Sequence, residues 1–257
     1  MRANPQGTIA AMAAGELKGK AALVTGGARR IGREIALALA EAGADVGITY
    51  LRSGREARQT AQDIRRHGVR GLALACDVRD EKSVRNAVKR VTGEFGGLDL
   101  LVNNAAIYEA VEFEKMTVRQ WDEMFATNAR GPFLVSQAAL KSLRQRHGRI
   151  IHLGSLGGLR PWGTHAHYCA SKAALTMLTQ VMAKALAPQI AVNCVAPGMI
   201  DLGQSRNAGF LRQIAGKTPM QRNGTAEEVV RAVMFFATAP HFITGQVLAV
   251  DGGLGLE

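Results

Sequence analysis

Short apolar runs alternate along the chain with longer stretches in which apolar residues recur three and four positions apart. The short runs are typical of buried β-strands, and the three-and-four spacing is typical of α-helices. Helices are predicted to begin near residues 31, 56, 81, 121, 134, 167 and 225. Strands are predicted over 20–25, 45–50, 69–76, 98–102, 150–153 and 191–195, with a seventh before residue 251. Because the two kinds of element alternate, the pattern predicts one doubly wound α/β domain, with a mostly seven-stranded parallel sheet covered by helices on both faces.

A glycine-rich turn follows the first predicted strand and precedes the first predicted helix. It reads Thr25-Gly-Gly-Ala-Arg-Arg-Ile-Gly32. Glycines such as Gly26 and Gly32 let the backbone approach a pyrophosphate closely, and the helix N-terminus offers free N–H groups and a positive dipole. The turn therefore predicts a dinucleotide-binding site.

The end of the second predicted strand indicates which dinucleotide is bound. A site for NAD places a carboxylate there to accept a hydrogen bond from the ribose 2′-hydroxyl. This chain has no acidic residue between Asp45 and Glu56, and it offers Arg52 and Ser53 instead. A guanidinium and a hydroxyl suit the 2′-phosphate of NADPH. NADPH is therefore the predicted cofactor, and a solvated basic loop is the alternative interpretation of these residues.

Tyr168 and Lys172 are four residues apart at the start of a predicted helix, so their side chains share one face. The pKa of a tyrosine phenol is about 10, and lowering it by about three units takes about 4 kcal/mol. A lysine ammonium about 4 Å away supplies attraction of about that size at an effective dielectric constant near 20. Such a pair can donate a proton to an oxygen that becomes an alkoxide. Ser155, after the fifth predicted strand, is placed to hold the same oxygen, although a Tyr-x-x-x-Lys spacing alone also occurs at ordinary helix starts.

Through these residues and the glycine-rich turn, the chain resembles the short-chain dehydrogenase/reductase family over about 17–251. The resemblance implies a single Rossmann domain and a catalytic set of Asn128, Ser155, Tyr168 and Lys172. In that family the tyrosine is the general acid/base, and the lysine lowers its pKa and holds the nicotinamide ribose. The serine orients the carbonyl, and the asparagine anchors a water that passes protons to the lysine. From the residues alone, Asn128 beside Gly-Pro has another interpretation, which is to restore the hydrogen bonds of a broken helix.

The same resemblance implies cofactor contacts along most of the chain. Arg29 matches the position from which NADPH-dependent members reach the 2′-phosphate. Arg30 stands where the family usually has glycine, a departure shared with the pteridine reductases, and Asp77 matches the residue that contacts adenine. The implied contacts are Gly26, Arg29, Arg30, Ile31, Gly32, Arg52, Ser53, Asp77, Val78, Asn104, Ala105, Tyr168, Lys172, Pro197, Gly198 and Ile200.

The resemblance implies an NADPH-dependent oxidoreductase that reduces a carbonyl, in a 3-oxoacyl thioester or a related ketone, to a secondary alcohol. A pteridine reductase is the alternative enzyme, favoured by Arg30, although pteridine reductases carry aspartate at the position of Ser155 and serine at that of Ala106. A non-catalytic dinucleotide-sensing protein is the remote alternative, which an intact catalytic set disfavours. Flat and acyl ligands both suit the candidate pocket residues, which are Tyr108, Trp162, Met199 and Phe210.

The formal charge of the 257 residues is +11, and residues 124–200 contain no aspartate or glutamate. A positive field there would attract an anionic partner, such as an acidic carrier protein that presents the substrate, and a solvated basic face is the alternative. Nucleic-acid binding is not expected, because the basic residues are scattered and aromatic residues are few. No apolar run approaches the length of a membrane span, so a soluble, cytoplasmic protein is expected. No metal site is expected either, because Cys76, Cys169 and Cys194 lack the spacing of metal ligands.

Residues 1–16 are expected to form a flexible tail, with Met12 as an alternative start of translation, and residues 17–257 a single domain. The tail lacks the pattern of a signal peptide. Residues 201–217 are glycine-rich and mixed in polarity, as expected of a substrate lid. The predicted helix over 167–186 is apolar on nearly every side. Its outer side is therefore expected to lie in a homo-oligomer, and the family resemblance implies a homotetramer.

Overall fold

The computed structural model describes residues 15–203 and 208–256, so nearly all of the predicted tail, including Met12, lies outside the described residues. The strands are β1 (Ala21–Val24), β2 (Asp45–Tyr50), β3 (Gly71–Ala75), β4 (Leu100–Asn103), β5 (Arg149–Leu153), β6 (Ala191–Pro197), β7 (Ile200–Asp201), β8 (Gly224–Thr225) and β9 (Val247–Val250). Seven of them form one parallel sheet in the order β3-β2-β1-β4-β5-β6-β9. The predicted seven-stranded parallel sheet is confirmed, and β7 pairs with β8 in a small separate sheet that the sequence did not predict.

Helices cover both faces of this sheet. Those within the described residues are α1 (Arg30–Glu41), α2 (Gly54–Arg66), α3 (Glu81–Phe95), α4 (Val118–Phe125), α5 (Gly131–Gln145), α6 (Ala166–Leu186), α7 (Ala208–Lys217) and α8 (Ala226–Thr238). Residues of α1, α2 and α8 form a core on one face, and residues of α3, α5 and α6 form a core on the other. Leu23 and Val24 of β1 are consecutive and belong to opposite cores, which explains why this strand is a continuous apolar run. None of the described helices is long and apolar enough to cross a membrane.

The strand order reverses between β1 and β4, because β1 pairs with β2 on one side and with β4 on the other. In sheets of this kind ligands bind in the crevice outside the carboxyl ends of the strands, at the point where the order reverses. Gly26 follows β1, Asn104 follows β4 and Ser155 follows β5. The topology therefore brings the loops that carry the candidate site to one edge of the sheet.

A π-helical turn, Ala126–Arg130, joins α4 directly to α5. The sequence indicated a helix that is broken at Gly-Pro, but α5 continues from the π-turn without a break, and Pro132 lies in the first turn of α5. The inserted residue of a π-turn rotates the following side chains relative to an ordinary helix. Asn128 lies in this turn and is fully buried.

The lid predicted over 201–217 is described only in part, because residues 204–207 lie outside the described residues. The start of this segment is held next to the residues that precede α8, because Ile200 pairs with Gly224 and Asp201 pairs with Thr225. Its helix, α7, has no fully buried residue. The helix α8 that follows starts with a capping box between Thr225 and Glu228, which confirms the predicted capped helix.

Candidate active site

Tyr168, Lys172 and Ser155 meet beyond the carboxyl end of β5. Tyr168 lies in the first turn of α6, and Lys172 lies one turn later. Ser155 is 5% exposed, and its Oγ accepts a hydrogen bond from the backbone N–H of Gly157 at 3.1 Å. A Cβ on Gly157 would lie 3.3 Å from Cε1 of Tyr168, so the Ser155 hydroxyl that holds Gly157 lies beside the Tyr168 ring. The structure thus brings together the serine, tyrosine and lysine that the sequence singled out.

Burial rather than Lys172 dominates the pKa of Tyr168. Burial raises the pKa of the phenol above its ordinary value, and the neighbouring Ser155 side chain lowers it only in part. Lys172 Nζ lies 6.0 Å from the centroid of the Tyr168 ring and donates a hydrogen bond to the Leu153 carbonyl at 2.7 Å. Burial also lowers the pKa of Lys172 to about 8. The lowered tyrosine pKa expected from the sequence is therefore not found, because the protein alone desolvates the phenol and directs the ammonium to a backbone carbonyl.

The Asn128 side chain holds the segment that follows β4. Its Oδ1 accepts a hydrogen bond from the backbone N–H of Ile107 at 2.9 Å, and its Nδ2 donates to the Ile107 carbonyl at 2.9 Å. Nδ2 also lies 3.2 Å from Ser171 Oγ, beside Lys172 in α6. The interpretation of Asn128 as the repair of a broken helix is therefore wrong, since its bonds join the loop after β4 to α6.

The turn after β1 is packed so closely that two of its positions require glycine. Gly26 has a φ of 65°, and a Cβ there would lie 3.0 Å from the Cα of Ala105. A Cβ on Gly32 would lie 2.4 Å from the Gly26 carbonyl oxygen and from Asn104 Nδ2. Asn104 Nδ2 donates to the Thr25 carbonyl at 2.8 Å, and Thr25 Oγ1 accepts from the backbone N–H groups of Asn104 and Ala105 at 3.0 Å. The predicted cradle is therefore built jointly by the loops after β1 and β4.

Arg30 adopts the backbone conformation that glycine usually supplies in such turns. Its φ is 53°, in the left-handed region, which costs about 1–2 kcal/mol for a residue with a Cβ. Its side chain is exposed, and Ile31 follows half-buried in the first turn of α1. The turn thus keeps a glycine-like shape with a guanidinium group added at its surface.

Unpaired basic side chains lie at the carboxyl ends of β1 and β2. Arg29, at the N-cap of α1, and Arg52 are exposed, and Ser53 is the N-cap residue of α2 without a capping bond from its hydroxyl. Among the described residues, no carboxylate pairs with Arg29, Arg30 or Arg52. Free guanidinium groups beside a glycine cradle and a helix N-terminus fit a dinucleotide that carries an additional phosphate.

Asp77 and Val78 follow β3 at the same edge of the sheet. Arg79 binds both carboxylate oxygens of Asp77, at 2.9 and 2.8 Å, and these hydrogen bonds lower the pKa of Asp77. Val78 is buried, and a Cβ on Gly131 would lie 3.0 Å from its Cγ2. The carboxylate therefore stays ionised and fixed, so it can accept a hydrogen bond from an amino group such as that of adenine.

The turn after β6 lies against the loop that follows β9. The backbone N–H of Gly198 donates to the Val250 carbonyl at 2.9 Å, and a Cβ on Gly198 would lie 2.7 Å from the Cβ of Asp251. Pro197 ends β6, and Ile200 begins β7. This turn is therefore held against the end of β9. Among the described residues, no group of three or more histidine, cysteine, aspartate or glutamate side chains is arranged to hold a metal ion.

Three ring side chains, Tyr108, Trp162 and His165, are called the aromatic cluster here; Tyr108 and Trp162 contact the Tyr168 ring, and His165 contacts those two. Tyr108 meets Tyr168 edge to face, with ring centroids 5.0 Å apart and an interplanar angle of 86°. Trp162 lies nearly parallel to Tyr168 at 6.2 Å. His165 stacks on Tyr108 at 5.0 Å, and its Nε2 lies 2.6 Å from the Tyr108 hydroxyl oxygen. The surface beside the Tyr168 phenol is therefore mainly aromatic.

His165 was not predicted from the sequence, although it lies three residues before Tyr168 and so shares a face with it at the start of α6. A buried polar group near Lys172 was not predicted either. Asn103 Nδ2 donates to Ser136 Oγ at 3.0 Å and lies 3.3 Å from His152 Nδ1. Burial lowers the pKa of His152 to about 3, so the imidazole is neutral and adds no charge beside the lysine. The available signal was a polar residue inside each of two apolar strands.

Comparison with known proteins agrees with this geometry. The family model described as enoyl-(acyl carrier protein) reductase matches residues 26–255. The 3-oxoacyl-[acyl-carrier-protein] reductase FabG of Staphylococcus aureus is 38% identical over 240 residues, which cover 91% of this chain and 98% of that protein. A short-chain dehydrogenase/reductase from Serratia marcescens is 37% identical with a TM-score of 0.89, covering 93% of this chain and 99% of its own. A gluconate 5-dehydrogenase from Burkholderia cenocepacia, in complex with NADP and tartrate, is 33% identical with a TM-score of 0.88, covering 96% and 99%.

Each match extends over nearly the whole length of this chain and of its relative. The matched region therefore includes the glycine cradle, the catalytic candidates and the turn after β6. They also favour an enzyme over the dinucleotide-sensing protein that the sequence left as an alternative. The chain belongs to the short-chain dehydrogenase/reductase family, and it is an oxidoreductase that uses a nicotinamide dinucleotide to reduce a carbonyl group.

Proposed function

We propose that the protein reduces a ketone to a secondary alcohol with NADPH, and that Asn128, Ser155, Tyr168 and Lys172 form its catalytic set. The observation that carries this proposal is the placement of Ser155 beside Tyr168, with Gly157 bonded to Ser155 Oγ and packed against the Tyr168 ring, at the edge of the sheet where the glycine cradle also opens. Two hydroxyl groups that converge on one point can hold a carbonyl oxygen and supply it with a proton.

Each side chain has a role that its environment supports. When bound, the nicotinamide supplies a hydride to the carbonyl carbon. Tyr168 donates its proton to the carbonyl oxygen, and the raised pKa keeps the phenol protonated and ready to donate at neutral pH. Ser155 orients the same oxygen, and Lys172 binds the ribose and helps to restore the proton. Asn128 positions the loop at Ile107 against α6 and so fixes the wall of the site.

The preference for NADPH is supported by the charges beside the cradle. Arg29, Arg52 and Ser53 present two guanidinium groups and a hydroxyl, with no carboxylate paired to either arginine among the described residues. The remaining dinucleotide contacts proposed are those that the sequence analysis named. A relative of similar structure was solved with NADP bound.

A 3-oxoacyl thioester or a related ketone is the proposed substrate, because the relatives of similar sequence include 3-oxoacyl-[acyl-carrier-protein] reductases. An acidic carrier protein would suit the chain's net charge of +11. The test is the loss of NADPH absorbance when the purified protein is mixed with 3-oxoacyl thioesters, quinones or dihydropterins. Turnover of a ketone supports the proposal, and turnover confined to dihydropterins would support a pteridine reductase, which Arg30 in its left-handed conformation favours.

Assembly and location complete the proposal. We propose a homotetramer, because α6 leaves apolar side chains such as Met177 and Val181 exposed, at 59% and 55%. We propose a cytoplasmic location, because Cys76 and Cys194 are buried free thiols, as is usual in a reducing compartment. We also propose that residues 201–217 act as a lid over the substrate.

A further inference from the structure

The aromatic cluster gives the catalytic tyrosine a neighbour whose ring is fixed but uncovered. Tyr108 is 57% exposed, although it lies edge to face against Tyr168. Covering the exposed face of an aromatic ring removes apolar surface from water, which lowers the free energy. A ring held in this way beside a reacting group therefore offers a surface for an apolar part of the ligand.

Several contacts hold Tyr108 in place. Its hydroxyl oxygen lies 2.6 Å from His165 Nε2, and His165 Nδ1 lies 3.0 Å from Thr164 Oγ1. The backbone N–H and the carbonyl of the preceding residue, Ile107, are both hydrogen-bonded to the Asn128 side chain. Further along, the Val111 N–H donates to the Thr164 carbonyl at 2.8 Å. The ring is thus held from its backbone and from its hydroxyl, so a ligand that covers it has little side-chain freedom to restrict.

The charged neighbour of Tyr108 is engaged elsewhere. Glu109 Oε1 accepts a hydrogen bond from Gln120 Nε2 at 3.0 Å, and its Oε2 lies 3.8 Å from Nε2 of the buried His167. Trp162 supplies a second ring on Tyr168. The rings that meet Tyr168 are therefore flat and uncharged, and burial lowers the pKa of His165 behind them below its ordinary value.

We propose that Tyr108 is a specificity-determining residue that selects ketones with a planar ring on the carbonyl carbon, and that His165 is the positioning residue that holds it. This inference rests on the proposed ketone reduction. Because the Tyr108 ring lies next to Tyr168, a ring attached directly to the carbonyl carbon reaches it while the carbonyl oxygen stays at the phenol. A methyl group in the same place leaves the Tyr108 ring uncovered.

The test compares two ketones that differ only in this substituent, ethyl 3-oxo-3-phenylpropanoate and ethyl 3-oxobutanoate. The quantity measured is kcat/KM for the phenyl ketone divided by kcat/KM for the methyl ketone, with saturating NADPH. Dividing the ratio of a variant by that of the wild type cancels the different intrinsic reactivity of the two ketones. Contact between aromatic rings and the burial that comes with it lead us to expect that Tyr108→Ala lowers the ratio about tenfold, mainly through KM of the phenyl ketone.

His165 is tested by its effect on Tyr108. His165→Ala is expected to lower the ratio about threefold, because Tyr108 keeps its ring but loses its fixed orientation. His165→Gln retains a side-chain N–H near the position of Nε2 and is expected to recover most of the ratio. A structural defect alone would lower both kcat/KM values together and leave the ratio unchanged. Phe242→Ala is the matched control, since Phe242 is an aromatic residue that is 98% exposed in the loop before β9, and it should leave the ratio unchanged.

The outcomes separate this inference from the proposed function. A fall of threefold or more in the ratio for Tyr108→Ala, absent in Phe242→Ala, supports the inference. A smaller fall, with both ketones still reduced by the wild type, overturns the inference and leaves the reductase function standing. If the wild type reduces 3-oxoacyl thioesters but neither of these ketones, the inference is overturned and the reductase function stands; if it consumes NADPH with no ketone or thioester, both are overturned.

Discussion

Tyr168 is suited to donate a proton because its surroundings keep the phenol neutral. Burial raises its pKa, and the neighbouring Ser155 side chain lowers it only in part. A phenol with an ordinary pKa of about 10 is already protonated at neutral pH, so the raised pKa preserves the proton but makes the phenol a weaker acid. The proton can still move, because the carbonyl oxygen becomes a far more basic alkoxide as hydride arrives.

Tyr168→Phe isolates this role, because it removes one oxygen and leaves the ring in place. General acid catalysis contributes about 10²–10⁴ in rate, so we expect kcat/KM for a ketone to fall by at least about a hundredfold. The affinity for NADPH, measured by fluorescence titration, should change little, since the phenyl ring keeps its contacts with Tyr108 and Trp162. Activity close to that of the wild type would show that another group donates the proton.

Lys172 is a buried cation, and removing its charge should stabilise the protein while abolishing activity. Burial lowers the pKa of Lys172 from 10.5 to about 8, and each unit corresponds to about 1.4 kcal/mol. We expect Lys172→Met to raise the free energy of unfolding at pH 7 by about 1–3 kcal/mol, less the hydrogen bond to the Leu153 carbonyl. Urea unfolding of both proteins measures this difference, and a less stable variant would contradict it.

The pH dependence of that difference has a defined sign. The folded pKa lies below the unfolded one, so the unfolded state binds more protons between about pH 8 and 10.5. Wild-type stability should therefore rise relative to Lys172→Met as the pH increases through this window. The advantage of the variant is greatest below pH 8 and disappears toward 10.5. A constant difference across the window would mean that the lysine is not desolvated in the folded protein.

At the residue scale, the sequence predicted which side chains lie in the site better than it predicted the burial and hydrogen bonds that set their pKa values. The spacing of Tyr168 and Lys172 fixes that they share a helical face, and the structure agrees. Their pKa values depend on burial and on which atoms the ammonium reaches, and these follow from the packing of α6 against β6, which brings Lys172 Nζ to the end of β5. His165 was missed for a similar reason, since its partner Tyr108 is 57 positions away in the chain.

At the scale of elements, the unit formed by β1, the glycine-rich turn and α1 is built from local rules and long-range closure. The order of strand, turn and helix was predicted from apolar spacing, and the glycines from the approach that a phosphate needs. Asn104 completes the turn from the loop after β4, through hydrogen bonds to Thr25 and Gly26. No local pattern in the sequence shows these hydrogen bonds between distant loops. The π-turn at Asn128 was not predicted for the same reason, because the Asn128 side chain bonds to the backbone of Ile107, which is distant in the sequence.

The segment between β2 and α2 should decide the choice of cofactor. The two dinucleotides differ at this end by a phosphate with a charge near −2, and a charge-assisted bond to a guanidinium contributes about 1.5–3 kcal/mol. We expect the wild type to prefer NADPH over NADH by about tenfold to a hundredfold in kcat/KM. Arg52→Asp should reverse or abolish this preference, because a carboxylate repels the phosphate and accepts from the ribose hydroxyl.

Arg90→Asp is the control for this experiment, since it makes the same change of charge at an exposed position on α3. It should leave the preference within about twofold of the wild type, because screening at physiological salt limits the reach of an exposed charge to about 8 Å. Equal effects of the two variants, or a wild type that prefers NADH, would show that the end of β2 does not read the phosphate.

At the scale of the whole molecule, the parallel sheet was predictable because alternating elements leave few ways to cover both faces of a sheet. The pairing of β7 with β8 could not be foreseen, since each has only two residues and lacks any periodicity. The distribution of charge is likewise a property of the whole surface. A binding experiment is needed to decide whether the basic surface binds an anionic partner.

Two separate apolar surfaces lie on the outside of the chain, and a tetramer with two kinds of isologous interface would cover both. One surface is on α6, with Met177 and Val181 one turn apart, and the other includes Phe235 of α8 and Leu248 of the edge strand β9, at 48% and 39% exposed. A single interface of either kind would give only a dimer. Interfaces of stable oligomers bury about 800 Å² on each partner, which a helix face with its neighbours can supply.

We therefore expect sedimentation velocity at micromolar concentration to show a tetramer for the wild type. The double variant Met177→Glu with Val181→Glu should sediment as a dimer or monomer, because two carboxylates on one helix face would have to be desolvated in the α6 interface without partners. Gln62→Glu, on the exposed side of α2, adds the same kind of charge away from both surfaces and should remain a tetramer.

If the double variant sediments as a dimer, the second surface at Phe235 and Leu248 is the interface that remains. Adding a charge at Phe235 as well should then yield monomers. A wild type that sediments as a monomer would contradict the assembly, and an unchanged tetramer in the double variant would place the interface away from α6.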